Sequence, residues 1–141
     1  MADVAYINIL ENGVKHAVYH LTGIFTDTSN ESGVKKVDVA NDFTSVVTGF
    51  LGAPTGVAME YIKSVCQGGL SATLYWDATT AIPFWTIPNT FQEVDLRDSA
   101  WITNTAGAGK TGNILLTTLG AANGASYDIV LRLRKTYANA S

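Results

Sequence analysis

Cysteine is nearly absent from this sequence, which excludes a fold held together by disulfides. Cys66 is the only cysteine among 141 residues, so no intramolecular disulfide can form. The fold therefore does not depend on an oxidising compartment. We expect Cys66 to be a small apolar residue at the end of a strand rather than a catalytic nucleophile.

Charged residues are also scarce, at 15% of the chain, with a formal net charge of -3. The cationic side chains form no block apart from Arg132, Arg134 and Lys135. Because phosphate binding needs a concentrated positive field, nucleic acid is disfavoured as the main partner. Apolar residues make up 47% of the chain. The surface must therefore be rich in small polar residues or be partly covered by partners.

Long apolar runs are missing as well. No segment approaches the ~18 consecutive apolar residues of a membrane-spanning helix, so we expect no membrane partner. The start, Met1-Ala-Asp-Val, lacks the basic segment and apolar run of a secretory signal. A chain of 141 residues is most simply one domain, residues 1–141, with flexible tails at 1–3 and 138–141.

The clearest pattern present is a period of two in the segment Ser126 to Thr136. Asp128, Arg132 and Arg134 fall on one side of an extended strand, with Val130 the only apolar residue among them. The other side carries four apolar residues: Tyr127, Ile129, Leu131 and Leu133. This alternation is typical of a strand with one buried face.

Most of the upstream sequence predicts strands too. Val4–Leu10 and Val14–Thr26 flank Asn12-Gly13, a strong hairpin signal, and Gly23 suggests a bulge or bend. In Gly56–Val65 we expect one face to carry Val57, Met59, Tyr61 and Val65. Leu70, Ala72, Leu74 and Trp76 should share a face of the next strand. The remaining predicted strands are Val34–Val39 and Gly112–Leu119.

Two segments do not alternate. Residues 41–54 read as an ordered connection with one short helical turn, and residues 81–109 read as irregular, with Trp101–Thr103 as a short edge strand. With seven to nine strands and little helix, the predicted fold is all-β, an antiparallel sandwich of jelly-roll type. The last two strands should form a hairpin at or near the centre of a sheet.

Several motifs suggest chemistry, but each fits a plainer reading better. Gly107–Thr111 resembles the end of a phosphate-binding loop, yet the strand-like Gly112–Thr118 follows where a helix is required, so we expect a flexible loop. His16 and His20 lie roughly 13 Å apart in a strand, too far for one metal ion. We expect two half-exposed histidines without a neighbouring acid. No nucleophile elbow is present.

The remaining polar and aromatic clusters also favour structure over catalysis. Glu93, Asp95 and Asp98 near Arg97 match no calcium loop, and we expect a solvated loop or salt bridges, including bridges across a subunit boundary. The tryptophans, Trp76, Trp85 and Trp101, could stack on sugars but are expected to anchor the core or an interface. We predict no enzyme activity, no cofactor and no metal site.

Three pieces of the chain resemble small structural proteins of tailed phages. They are His20–Ile24 with the following strand to Val39, Leu74–Thr80, and Thr111–Thr118 with Ser126–Lys135. The resemblance covers about half the chain, in order, and implies a capsid cement or decoration protein on the capsid exterior of the virion. The implied partners are the major capsid protein and further copies of the chain, as a homotrimer, after synthesis in the cytoplasm of the bacterial host.

Such a role needs contact residues, and the apolar, aromatic and basic ones are the candidates: Phe43, Phe50, Phe84, Trp85, Phe91, Trp101, Arg132 and Arg134. Two other readings stay open. One is a different virion part, such as a head–tail connector or tail subunit. The other is a carbohydrate-binding module of a receptor-binding protein.

Overall fold

The computed structural model describes residues 4–43 and 52–137. The predicted tails and Phe50 lie outside these ranges. The elements run in chain order as β1 Val4–Asn12, β2 His16–Ile24, β3 Val34–Val37, α1 Val39–Asp42, β4 Pro54–Gln67, β5 Ser71–Trp76, β6 Ile82–Ile87, β7 Phe91–Asp95, β8 Ile114–Leu119 and β9 Ser126–Tyr137. The predicted helical turn is present as α1. No helix of the described segments is long and apolar enough to span a membrane.

The strands form two antiparallel sheets. One sheet has five strands in the order β1-β2-β9-β4-β7, and the other has four in the order β3-β8-β5-β6. Only β1–β2 and β5–β6 are consecutive strands paired within a sheet; the other successive strands lie in different sheets. The predicted all-β sandwich is confirmed, and repeated crossing between two sheets is how such a fold buries one face of each strand.

Strand β9 lies at the centre of the larger sheet, between β2 and β4, and alternates as predicted. Its four inward apolar side chains are buried, and its polar residues face outward. The predicted hairpin with β8 is wrong, because β8 pairs with β3 and β5 in the other sheet. Residues 120–125 instead cross between the sheets, where Ala125 O accepts a hydrogen bond from Phe25 N at 2.8 Å.

Gly23 does not form a bulge, contrary to expectation. Strand β2 pairs without interruption with β1 and β9 on its two sides around this residue. A Cβ atom at Gly23 would lie 2.3 Å from the Tyr127 ring. Glycine is therefore required here because a buried aromatic ring crosses the backbone.

A bulge does occur in β4 and overturns the predicted face of that strand. Met59 pairs with Leu133, but Tyr61 pairs with the next residue, Arg132, so Glu60 is extra. The extra residue reverses the alternation, because side chains alternate with a period of two. Met59 therefore points inward as predicted, whereas Tyr61 faces outward. Val65 also faces outward, opposite Asp128.

Residues 81–109 are more ordered than the sequence indicated. They contain β6 and β7, the edge strands of the two sheets. The prolines concealed β6, although an edge strand tolerates proline because one row of its backbone groups is unpaired. The predicted strand at 101–103 reduces to one bridge, between Ile102 and Met59.

The core between the sheets is apolar apart from a few buried ionisable groups. Glu31 and Lys36 form an ion pair at 3.1 Å, with both side chains at most 3% exposed. The Tyr127 hydroxyl donates to Glu31 Oε1 at 3.0 Å, and burial, followed by the Glu31 charge, raises the pKa of Tyr127. Cys66 is buried near the end of β4, as predicted, and burial raises the pKa of its thiol to about 11. That thiol is protonated at neutral pH and unsuited to nucleophilic chemistry.

Candidate binding surfaces

Four of the predicted contact residues lie on the outer face of the five-stranded sheet. Arg132 and Arg134 point outward from β9, and Trp101 packs against Arg134. Phe91 pairs with the outward Val65 and is 55% exposed. Sequence distance concealed this grouping, since antiparallel pairing of β9, β4 and β7 is what brings these residues to one face.

Arg132 is matched by carboxylates of the same chain. Its Nε donates to Glu60 Oε1 at 2.8 Å, and its guanidinium lies 3.7 Å from Glu11. Glu60 is the bulged residue of β4, and its side chain is only 4% exposed. His16 Nε2 lies 3.3 Å from the same carboxylate oxygen. Arg132 therefore holds the sheet together locally and has less charge available for a partner than the sequence indicated.

Lys135, the third cation of the predicted basic cluster, is absent from this face. It points inward and is 5% exposed, and its Nζ donates to Gly13 O at 2.6 Å and to Asn12 Oδ1. The same ammonium lies 4.2 Å from the centroid of the Phe43 ring. Burial lowers the pKa of Lys135. Phe43 is thus a core residue, 2% exposed, which leaves it covered by its own chain.

Arg134 and Trp101 form the best-placed binding pair of the outer face. The Arg134 guanidinium carbon lies 4.5 Å from the centroid of the Trp101 ring, within cation–π range. Among the described residues, no carboxylate lies within 4 Å of Arg134. An arginine preorganised on a tryptophan, with its charge unmatched, has the composition of an interface hot spot.

An acidic strip lies beside these residues on β7. The guanidinium of Arg97 makes a two-pronged contact with Asp95 at 2.9 and 2.7 Å, and this hydrogen bonding lowers the pKa of Asp95 to about 2. Tyr61 donates to Glu93, which raises the pKa of Tyr61. The predicted salt bridge therefore exists, but within one chain. Both carboxylates are already engaged, and the described residues hold no group of three metal ligands.

The two histidines of β2 are half-exposed, as predicted, but each has an acidic neighbour, contrary to expectation. His16 faces Glu60, and His20 Nε2 lies 2.6 Å from Asp128 Oδ1. The register of β2 on β9 brings His20 and Asp128 together, which sequence spacing does not reveal. No serine hydroxyl hydrogen-bonds either histidine in the described ranges, so these pairs do not extend to a hydrolytic triad there.

The segment resembling a phosphate-binding loop is a connection to β8, with no helix after it. Thr111 Oγ1 donates to Asp77 Oδ2 at 2.8 Å, and Thr79 N donates to Ala108 O at 3.2 Å. Gly109 has φ +77 and packs directly on Thr79. The prediction of a loop before a strand is confirmed. The threonine and glycine of the motif serve local packing rather than an open anion site.

The tryptophans do not form a shared platform for sugars. Trp76 is fully buried and stacks on Phe84, with ring centroids 4.0 Å apart. Trp85 is half-buried on β6, where its indole N–H donates to Gln92 Oε1 at 3.1 Å. Trp101 lies on the outer face of the other sheet. Phe84 and Trp85 therefore close the gap between two sheet edges, and each is only partly available for contact.

The sequence analysis missed one surface. The largest exposed apolar side chains include four from β1: Tyr6 at 64%, Ile7 at 45%, Ile9 at 38% and Leu10 at 61%. The available signal was the lack of any charge from Val4 to Leu10 in a first strand that has only one neighbour. No family model, curated protein or solved structure matches the chain. Function therefore has to be inferred from these surfaces.

Proposed function

We propose that this chain is a structural protein of a tailed-phage virion, a capsid decoration protein that binds the exterior of the major capsid shell and stabilises it. The observation that carries the proposal is the outer face of the five-stranded sheet. Four side chains named as contact candidates from the sequence meet there, at Phe91, Trp101, Arg132 and Arg134. The order of the three phage-like sequence pieces supports the same role.

The physical character of this face suits a protein partner. Phe91 is more than half exposed, and Trp101 stacks under an arginine with unmatched charge. Tryptophan and arginine dominate the energetics of protein interfaces, while flanking groups that exclude water contribute less. The ion pairs of Arg97 and Arg132 keep the surrounding surface rigid, which lowers the entropy lost on binding.

A capsid contact also explains how a modest surface would suffice. Each copy would bury a small area, and repetition over a lattice raises the overall stabilisation without any single strong contact. The partner surface would have to present acidic groups opposite Arg134, because a rim charge needs a complementary one. The chain would thus act from the virion exterior, together with further copies of itself.

Co-sedimentation with capsid shells assembled without this protein tests the proposal. We expect wild-type protein to pellet with the shells and Arg134→Glu to bind roughly 10-fold more weakly. Lys110→Glu is the matched control, because Lys110 is an exposed cation in the loop before β8. We expect that variant to bind like wild type. Equal binding by both variants would remove the outer face from the proposal.

The competing virion roles differ in copy number. A connector or tail subunit would be present at about six or twelve copies per particle, as closed rings of subunits require. A decoration protein repeats with the capsid lattice. A glycan-binding module, by contrast, would show binding on a glycan array that Trp85→Ala or Trp101→Ala abolishes.

A further inference from the structure

The sandwich has four edge strands, and three of them carry features that discourage pairing with another strand. Strand β3 is four residues long and contains Lys35 and Lys36, the second pointing inward. Strand β6 contains Pro83 and a bulge at the next residue. Strand β7 carries Glu93 and Asp95. Shortness, proline, bulges and charges are the usual protection of exposed sheet edges.

Strand β1 has little of this protection. It is nine residues long, contains no proline and has no charged residue before Glu11. Its one irregularity is a bulge at Leu10, near the end of the strand. Within residues 4–43 and 52–137, only β2 pairs with it, so the opposite row of backbone groups has no strand partner there. A long apolar edge of this kind is a template for a further strand.

Both faces of β1 are apolar and exposed. Ile7 and Ile9 pair with Leu21 and Tyr19, which are fully buried, so they point toward the inner side of the sheet. They nevertheless remain 45% and 38% exposed, because the four-stranded sheet does not cover them. Tyr6, on the outer side, is 64% exposed. A strand added beside β1 would contact side chains on both faces.

We infer that β1 pairs with β1 of a second copy of this chain, antiparallel about a two-fold axis, to give one continuous ten-stranded sheet. The three other edges of the chain are blocked, so among its own strands β1 can pair only with its twin. A two-fold contact uses one surface twice and closes on itself. The uncharged stretch from Val4 to Leu10 brings no like charges together.

The exposed apolar area is sufficient for such a dimer. Besides the four β1 side chains, Val14 and Ile24 are 39% and 46% exposed beside the strand. At roughly 200 Å² for each whole residue, the six expose on the order of 600 Å² per copy. Two copies would bury about 1,200 Å² in total, the lower limit of specific stable interfaces.

This pairing favours a dimer over the trimer proposed from the sequence resemblance. A three-fold ring joins two different surfaces, so β1 would have to pair with one of the blocked edges. The inference does not depend on capsid binding, because it concerns the isolated protein. Its success or failure is therefore separate from that of the proposed function.

Sedimentation equilibrium of the purified full chain tests the interface. We expect a dimer for wild type and, for Ile7→Lys, a dissociation constant raised roughly 100-fold, because two lysines would meet near the axis. Tyr6→Lys, on the other face, should act likewise and covers the case in which Ile7→Lys fails to fold. The matched control is Leu119→Lys, because Leu119 is 70% exposed and lies on β8, away from β1. That variant should remain dimeric.

Single cysteines at positions 6, 7 and 8 test the geometry, since the native Cys66 is buried. Antiparallel two-fold pairing predicts that the yield of disulfide-linked dimer peaks at the position nearest the axis and falls at the others. A wild-type protein that is monomeric up to about 100 μM overturns the inference. So does a trimer, or a dimer that survives both Ile7→Lys and Tyr6→Lys.

Discussion

Strands β1 and β7 are the two edges of the same sheet, yet their surfaces differ in kind. Strand β7 alternates inward Gln92 and Val94 with outward Glu93 and Asp95, and both carboxylates have partners from neighbouring residues. Strand β1 exposes apolar side chains on both faces. A charged edge resists further strands, whereas an uncharged one invites them. The comparison teaches that this sheet is finished on one side and open on the other.

Gly23→Ala should give the largest effect, because it disturbs the side of the sheet that carries β1. The new Cβ would lie 2.3 Å from the Tyr127 ring, which is buried and bonded to Glu31. We expect the free energy of unfolding to fall by about 2–3 kcal/mol, as for overpacking of a core. Chemical denaturation measures this loss.

Gly107→Ala is the matched control for that substitution, since nothing lies within 4 Å of the new Cβ. Its stability should stay within about 0.5 kcal/mol of wild type. Equal stability of the two variants would show that the close approach at Gly23 does not constrain the β1–β2 pair.

Glu60→Gln should have an intermediate effect, on the side of the sheet that carries β7. The Glu60 backbone oxygen accepts from Leu96 N at 2.8 Å, just beyond β7, and its carboxylate binds Arg132. We expect a loss of about 1–2 kcal/mol in unfolding free energy, because a charge-assisted hydrogen bond at a nearly buried carboxylate is weakened. Urea denaturation checks this value.

Glu11→Gln provides the control, because Glu11 approaches the same arginine but is 51% exposed. An exposed, distant pair should contribute less than about 0.5 kcal/mol. If the two substitutions cost the same, burial at the bulge does not distinguish these carboxylates, and the account of Arg132 fails.

The smallest expected effect concerns acid titration of β7. Hydrogen bonds from Arg97 lower the pKa of Asp95 to about 2, below its ordinary 3.8. Because the folded-state pKa is depressed, the pair's contribution is complete above the ordinary pKa and disappears as pH falls through about 2. Asp95 is exposed, so the change in stability is small. NMR titration of the Asp95 carboxyl, with Arg97→Gln as reference, should show an ordinary midpoint only in the variant.

The predictable part of the fold is where alternation is uninterrupted. In β5 and β9 each inward residue could be named, because burial on one face imposes a period of two. At Glu60 one extra residue reversed the faces, and no local pattern marks such a bulge. Pro83 concealed β6, because proline is compatible with an edge strand but argues against a central one.

The candidate surface was predictable by residue type but not by arrangement. Trp101 and Arg134 were both named from the sequence, yet their stacking depends on the segment that bridges at Ile102. Lys135 was grouped with the arginines, although the alternation of β9 already places it on the opposite face. Open edges such as β1 depend on which strand lies outermost, a property of topology that a single sequence does not specify.

The number of copies in a purified virion tests the proposed role most directly. Quantitative gel staining or mass spectrometry would compare this chain with the major capsid protein of the phage that encodes it. A decoration protein predicts a ratio close to that of the capsid lattice, with release of this chain lowering the temperature at which the shells open. A ratio of only about six or twelve copies per particle, as for a ring-shaped connector, would contradict the account.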